Sequence, residues 1–78
     1  MSNQPFEQPP GEIRISVNGE VRAVRPGLVI REVLVILGIE GERVAVELNR
    51  KIVRKADWDR TAIEAGASLE IVTFVGGW

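Results

Sequence analysis

The chain closes on Thr73-Phe74-Val75-Gly76-Gly77-Trp78, the stretch whose residue types point most directly at chemistry. Glycine weakens a strand and leaves a terminus unpinned, so Gly76-Gly77 adds nothing obvious to a fold. A segment without side chains suits another task, the delivery of a carboxyl group into a buried active site. Extended chain covers about 3.3–3.6 Å per residue, so Thr73 to Gly77 reaches roughly 17 Å beyond its domain. Lacking a Cβ, both glycines can thread a channel closed to other residues and adopt whatever φ the site imposes. An acyl adenylate formed on such a carboxyl is open to attack from either side. The plainer reading of the pair is fraying, because frayed ends favour small residues.

Little else in the chain offers chemistry. There is no cysteine, which removes disulfides, a thiolate nucleophile and a zinc knuckle. There is no histidine, which removes the commonest general base and the commonest metal ligand. A catalyst would have to rest on carboxylates or lysine, and the expectation is a non-enzyme with no metal site. Asp57-Trp58-Asp59 brackets an aromatic with two carboxylates, the ingredients of an acid/base pair. Residues one apart in a turn seldom converge on one substrate. Asp57 is therefore expected to cap a one-turn helix while Trp58 covers the end of the core. Arg50, Lys51, Arg54 and Lys55 form a basic cluster that reads either as a solvated edge or as a surface for an acidic partner.

The composition bounds the rest. Seventy-eight residues allow one domain and one small core. Apolar residues at 45% and charged residues at 27% are ordinary for a soluble globular protein. A net charge of -1 with no basic block leaves no footprint for nucleic acid. No apolar run approaches the roughly 20 residues of a membrane span. MSNQPFEQPPGE lacks the basic start and apolar middle of a signal peptide, so the expected location is the cytoplasm.

The elements that must position the tail follow from period and punctuation. Residues 1–11, rich in proline and glutamine, read as a disordered tail. Ile13, Ile15 and Val17 alternate with polar residues, and Asn18-Gly19 is the strongest signal for a type I′ hairpin. Val21 and Ala23 continue into a second strand that Pro26-Gly27 ends. Ile30, Val33, Leu34 and Leu37 then stand at i, i+3, i+4 and i+7, the stripe of an amphipathic helix, with Gly38 placed as a left-handed cap. No Ser, Thr, Asp or Asn stands near Leu28 to cap its start. Val44, Val46 and Leu48 alternate with Ala45 and Glu47, Asn49 opens a turn, and Ile52-Val53 allows only an edge strand blocked by flanking charge. Leu69 and Ile71 of the last strand match the core phase, while Glu70, Val72 and Phe74 face the other way.

Hairpin, helix, strand, short strand and strand predict an α+β fold, a mixed sheet with one main helix packed on one face. In so short a chain this order resembles the β-grasp, or ubiquitin-like, fold, with the domain over 12–75 and a flexible tail over 76–78. From Ile13 to Gly77 the sequence resembles the sulfur-carrier family of thiamin biosynthesis, ThiS. ISVNGE, VAVELN, IV, the lone Trp58, AGASLEIV and FVGG carry the likeness in that order. The small subunit of molybdopterin synthase is a related kind, sharing fold and diglycine. The resemblance implies a carrier and protein substrate with no active site of its own and no cofactor bound. An E1-like adenylating enzyme would use ATP on the C-terminal glycine, a sulfur donor would convert it to a thiocarboxylate, and thiazole synthase would accept the sulfur. By position, Gly77 would bear the reactive carboxyl and Gly76 would give clearance. With no thiol on the chain, sulfur could ride only on that carboxyl.

Trp78 departs from the pattern, since an indole does not fit a channel shaped for glycine. Trimming to Gly77, an added residue foreign to the natural protein, and loss of activation altogether each account for it, with trimming preferred. A partner-docking patch is expected at Val72 and Phe74 on the face away from the helix, with Ala45 as their neighbour across the sheet and Val75 beside the tail. The alternatives there are scattered surface apolar residues or a Phe74 folded over the core edge. A non-covalent ubiquitin-like interaction module, with an inert tail and Trp78 as anchor, is the competing function.

Overall fold

The computed structural model describes residues 11–74. Strand β1 (Ile13–Val17) and strand β2 (Glu20–Val24) pair antiparallel from Ile13↔Val24 to Val17↔Glu20. Asn18 and Gly19 join them at φ 50° and 87°, as a two-residue type I′ turn requires. Helix α1 spans Ile30–Ile36, and strands β3 (Val44–Leu48), β4 (Lys51–Val53) and β5 (Ser68–Thr73) follow. The sheet order is β2-β1-β5-β3-β4. Strand β5 lies parallel to β1 and antiparallel to β3, so the sheet is mixed with the last strand at its centre. With α1 on one face, this is the β-grasp arrangement.

The helical stripe buries Ile30, Val33 and Leu34, with Leu37 partly covered. They pack on Ile15, Val17, Val46, Leu69 and Ile71 from the inner face of the sheet. The helix ends in a Schellman motif: Gly38 takes φ +73°, its N–H donates to the Val35 carbonyl, and the Ile39 N–H donates to Leu34.

Its start is satisfied by means the local sequence does not show. The Glu32 carboxylate accepts the Val29 N–H at 2.9 Å. The Thr61 and Trp58 carbonyls accept the N–H groups of Ile30 and Arg31 at 3.0 and 3.2 Å. The loop over 58–63 thus stands in for the absent cap, and Ile63 fastens it by donating its N–H to Leu28.

Trp58 is 1% exposed and covers the end of the core, as expected, with its indole N–H donating to the Val53 carbonyl at 2.9 Å. Asp57 corrects the expectation made of it. It ends the 3-10 turn Lys55–Asp57, whose first flanking residue is Arg54, so it caps no helix start. Its carboxylate instead accepts from the Arg60 guanidinium at 3.1 Å. Guanidiniums on both sides, Arg54 at 3.8 Å and Arg60 at 3.1 Å, engage the Asp57 carboxylate in place of helix N–H groups. The expected disordered tail over 1–11 lies, Gly11 apart, outside the described residues.

Candidate functional site

The site begins with β5, because that strand leads to the glycines. Central strands hold their position through hydrogen bonds on both sides, and β5 has both. Two asparagine side chains add to the ladder. The Asn18 carboxamide accepts the Ile71 N–H at 2.7 Å and donates to the Ile71 carbonyl at 3.1 Å, while its own N–H reaches the Leu69 carbonyl at 2.8 Å. Asn18 therefore continues the parallel pairing past the point where β1 turns away. At the other end, the Asn49 Oδ1 accepts the Ser68 N–H at 2.9 Å and its backbone N–H donates to the Ser68 carbonyl at 2.8 Å. Turn chemistry explains why both are asparagine: each sits at positive φ, which that side chain tolerates while still reaching a neighbouring backbone. The sequence marked both as turn residues only.

Register then assembles the outer face. Ala45 stands directly opposite Val72, as the sequence suggested, and Glu47 stands opposite Glu70. Pairing continues one step beyond β5, where the Phe74 N–H donates to the Arg43 carbonyl at 2.7 Å. Val72 is 57% and Phe74 48% exposed. Phe74 is not a member of the buried core cluster. Ala45, Val72 and Phe74 form an apolar strip leading toward the tail. Two carboxylates lie beside it, and the sequence did not reveal that they face each other. Like charges directly opposite repel, so the pair is a cost to the fold that sits next to the strip. Val75, Gly76, Gly77 and Trp78 lie outside the described residues.

The other constellations disperse. Asp57 binds Arg60 and lies 3.8 Å from Arg54, whereas Asp59 pairs with Arg31 at 2.7 Å. The two carboxylates flanking Trp58 thus belong to separate ion pairs and share no substrate space. The Arg31 guanidinium also stands 5.4 Å from the Trp58 ring centroid, a cation–π contact. Among the described residues no group of three acidic, histidine or cysteine side chains could hold a metal ion, and no helix is long and apolar enough to cross a membrane.

Among the described residues, the outer face of the sheet presents the apolar strip of Ala45, Val72 and Phe74 beside two facing carboxylates. The ThiS family model matches residues 15–77, a range that includes both glycines. A thiazole synthase of Paramagnetospirillum magneticum (strain ATCC 700264 / AMB-1) is 37% identical over 65 residues, 83% of this chain and 20% of that protein. A thiazole synthase of Magnetococcus marinus (strain ATCC BAA-1437 / JCM 17883 / MC-1) is 31% identical over the same shares. The chain spans about one fifth of the length of these curated relatives. The crystal structure of the thiamine biosynthesis protein ThiS from Geobacter metallireducens superposes with a TM-score of 0.74 at 30% identity, covering 85% of this chain and all of that one. With the family match running through the fold and the diglycine, the chain belongs to the ThiS family.

Proposed function

We propose that this protein carries sulfur for the thiazole ring of thiamin, as a thiocarboxylate on Gly77. The observation that carries the reading is the family match over 15–77, a range that includes Gly76-Gly77. In the sequence the Gly77 carbonyl is bonded to Trp78, so the reading requires hydrolysis of that peptide bond before activation. An E1-like enzyme then adenylates the freed carboxylate with ATP and releases pyrophosphate. The terminal sulfur of a persulfide displaces AMP, and a thiol cleaves the remaining S–S bond to leave the thiocarboxylate.

Gly76 gives clearance in the partner's channel. The strip of Ala45, Val72 and Phe74, together with Val75 that follows it in sequence, docks both the adenylating enzyme and the synthase. The chain acts as their substrate and binds no cofactor; ATP and the sulfur donor are held by the partner. The cytoplasm, where ATP is supplied, is the compartment this chemistry needs. Thiazole synthase is favoured as acceptor over a molybdopterin enzyme because two relatives of this chain bear that name.

The test incubates full-length chain, and chain ending at Gly77, with the adenylating enzyme, ATP and a persulfide donor, followed by intact mass. Chain ending at Gly77 should gain the mass change of a thiocarboxylate and full-length chain should not. Equal modification of both would refute the trimming step, and modification of neither would refute the carrier reading in favour of a non-covalent module.

A further inference from the structure

Five of the ten Lys and Arg residues fall between positions 50 and 60, and the fold gathers three of them on one open cleft. Strand β4 is one of the two edge strands, and among the described residues it pairs with β3 alone. Against β4 lies a cleft of about 850 Å³ that reaches from Leu48 and Asn49, at the hairpin turn, to Lys51, Arg54, Asp57 and Arg60. Asp57 lies between two guanidiniums, accepting from Arg60 at 3.1 Å and standing 3.8 Å from Arg54. One carboxylate against Lys51, Arg54 and Arg60 leaves the cleft with two positive charges in excess. The Arg54 and Arg60 side chains remain 81% and 75% exposed, so most of their N–H donors face solvent. Lys55 is directed elsewhere, to Glu42 at 3.9 Å.

Among the described residues, no backbone group pairs with the side of β4 away from β3. In a two-residue hairpin the pair next to the turn is the hydrogen-bonded one, here Leu48↔Lys51. Lys51 and Val53 therefore turn their polar groups to β3, and Ile52 turns its N–H and C=O outward. The Ile52 side chain is 73% exposed, an apolar anchor whose cross-strand neighbour on β3 is Glu47, with the cleft cations Lys51 and Arg54 before and after it in the chain.

We propose that the free side of β4 is a docking edge for an acidic, extended segment of a partner protein, which adds a strand at Ile52 and sets carboxylates on Lys51, Arg54 and Arg60. Charge decides the occupant. A second copy of this edge would bring cations against cations and is rejected, the usual protection of an exposed edge. The same charge attracts an acidic strand, so protection and selection are one device. The edge lies two strands from β5, roughly 10 Å across the sheet, and leaves the tail open to a different protein. The proposal stands whether or not Gly77 carries sulfur.

The test titrates the ¹⁵N-labelled full chain with the acetylated, amidated hexapeptide of alternating glutamate and valine. The lysine–valine counterpart and inorganic pyrophosphate serve as comparison probes. Expected with the acidic peptide are shift changes confined to residues 48–54 and 57–61, slowed hydrogen exchange at the Ile52 amide, and loss of binding in high salt. The double variant Arg54→Gln/Arg60→Gln, at two exposed positions, should keep its spectrum and bind about tenfold more weakly. Absence of shifts at this edge, equal shifts with the lysine peptide, or unchanged affinity in the double variant would each overturn the proposal. Response to pyrophosphate alone would also overturn it, by making the cleft a small-anion site.

Discussion

Replacing Asn18 with glycine isolates what its side chain does for β5. Glycine tolerates the φ of 50° at this position, so the turn itself is preserved and only the carboxamide is lost. That carboxamide holds both polar groups of Ile71, at 2.7 and 3.1 Å, in a residue that is itself 8% exposed. Ile71 is opposite Val46 on the β3 side, and its N–H and C=O are directed the other way, to Asn18. Unmade, a buried donor or acceptor costs roughly 1–3 kcal/mol. Asn18 is exposed, so water can enter once it is gone, and the loss for both groups together should be about 2 kcal/mol. For a domain of this size 1 kcal/mol moves Tm by roughly 4–8 °C, so Asn18→Gly should melt about 8–16 °C lower.

Thermal unfolding followed by circular dichroism gives the shift, and native-state hydrogen exchange shows whether it arises at β5. The Ile71 amide should exchange faster by more than the amides of β2 do. Asn49→Gly, which removes a single side-chain bond at Ser68, should cost less than half as much. A Tm unchanged within about 2 °C on Asn18→Gly, or an Ile71 amide as protected as before, would refute the claim that this side chain completes the parallel ladder.

Three further outcomes are expected. Gly41→Ala would place a Cβ 2.8 Å from the Trp58 Cζ3, against a ring held by its bond to Val53, so it should cost about 1–3 kcal/mol and alter the near-ultraviolet circular dichroism; a silent substitution would show that Trp58 shifts freely. Glu70→Gln removes the repulsion with Glu47 and should stabilise the fold by about 0.5 kcal/mol, read as a small rise in the urea midpoint, whereas a fall would mean the carboxylate has a favourable partner. Phe74→Ala should cost about 1 kcal/mol or less, because the side chain is half exposed and off the core, yet weaken binding to the adenylating enzyme at least tenfold by calorimetry; a large fall in Tm with affinity intact would assign Phe74 to stability instead.

What the sequence determined by itself was everything encoded within a few residues. Asn18-Gly19 specifies a hairpin because both φ values are positive and the strands flanking it alternate. The 30, 33, 34, 37 stripe and Gly38 specify a helix and its end because their spacing is the helical period. The phase of Val44 to Leu48 and of Leu69 to Ile71 places Ala45 and Val72 on one face before any pairing is known. The diglycine, too, is a statement the sequence makes alone.

Only the tertiary structure decided what depends on contacts between distant residues. Parallel pairing of β1 with β5 brings Asn18 to Ile71, 53 positions away, and turns a turn residue into a strand clamp. The β3–β5 register sets Glu47 against Glu70, and the 58–63 loop supplies the carbonyls that the helix start lacks. These contacts leave no local trace because their partners are fixed by chain closure around one core, and periodicity records only which face a residue takes.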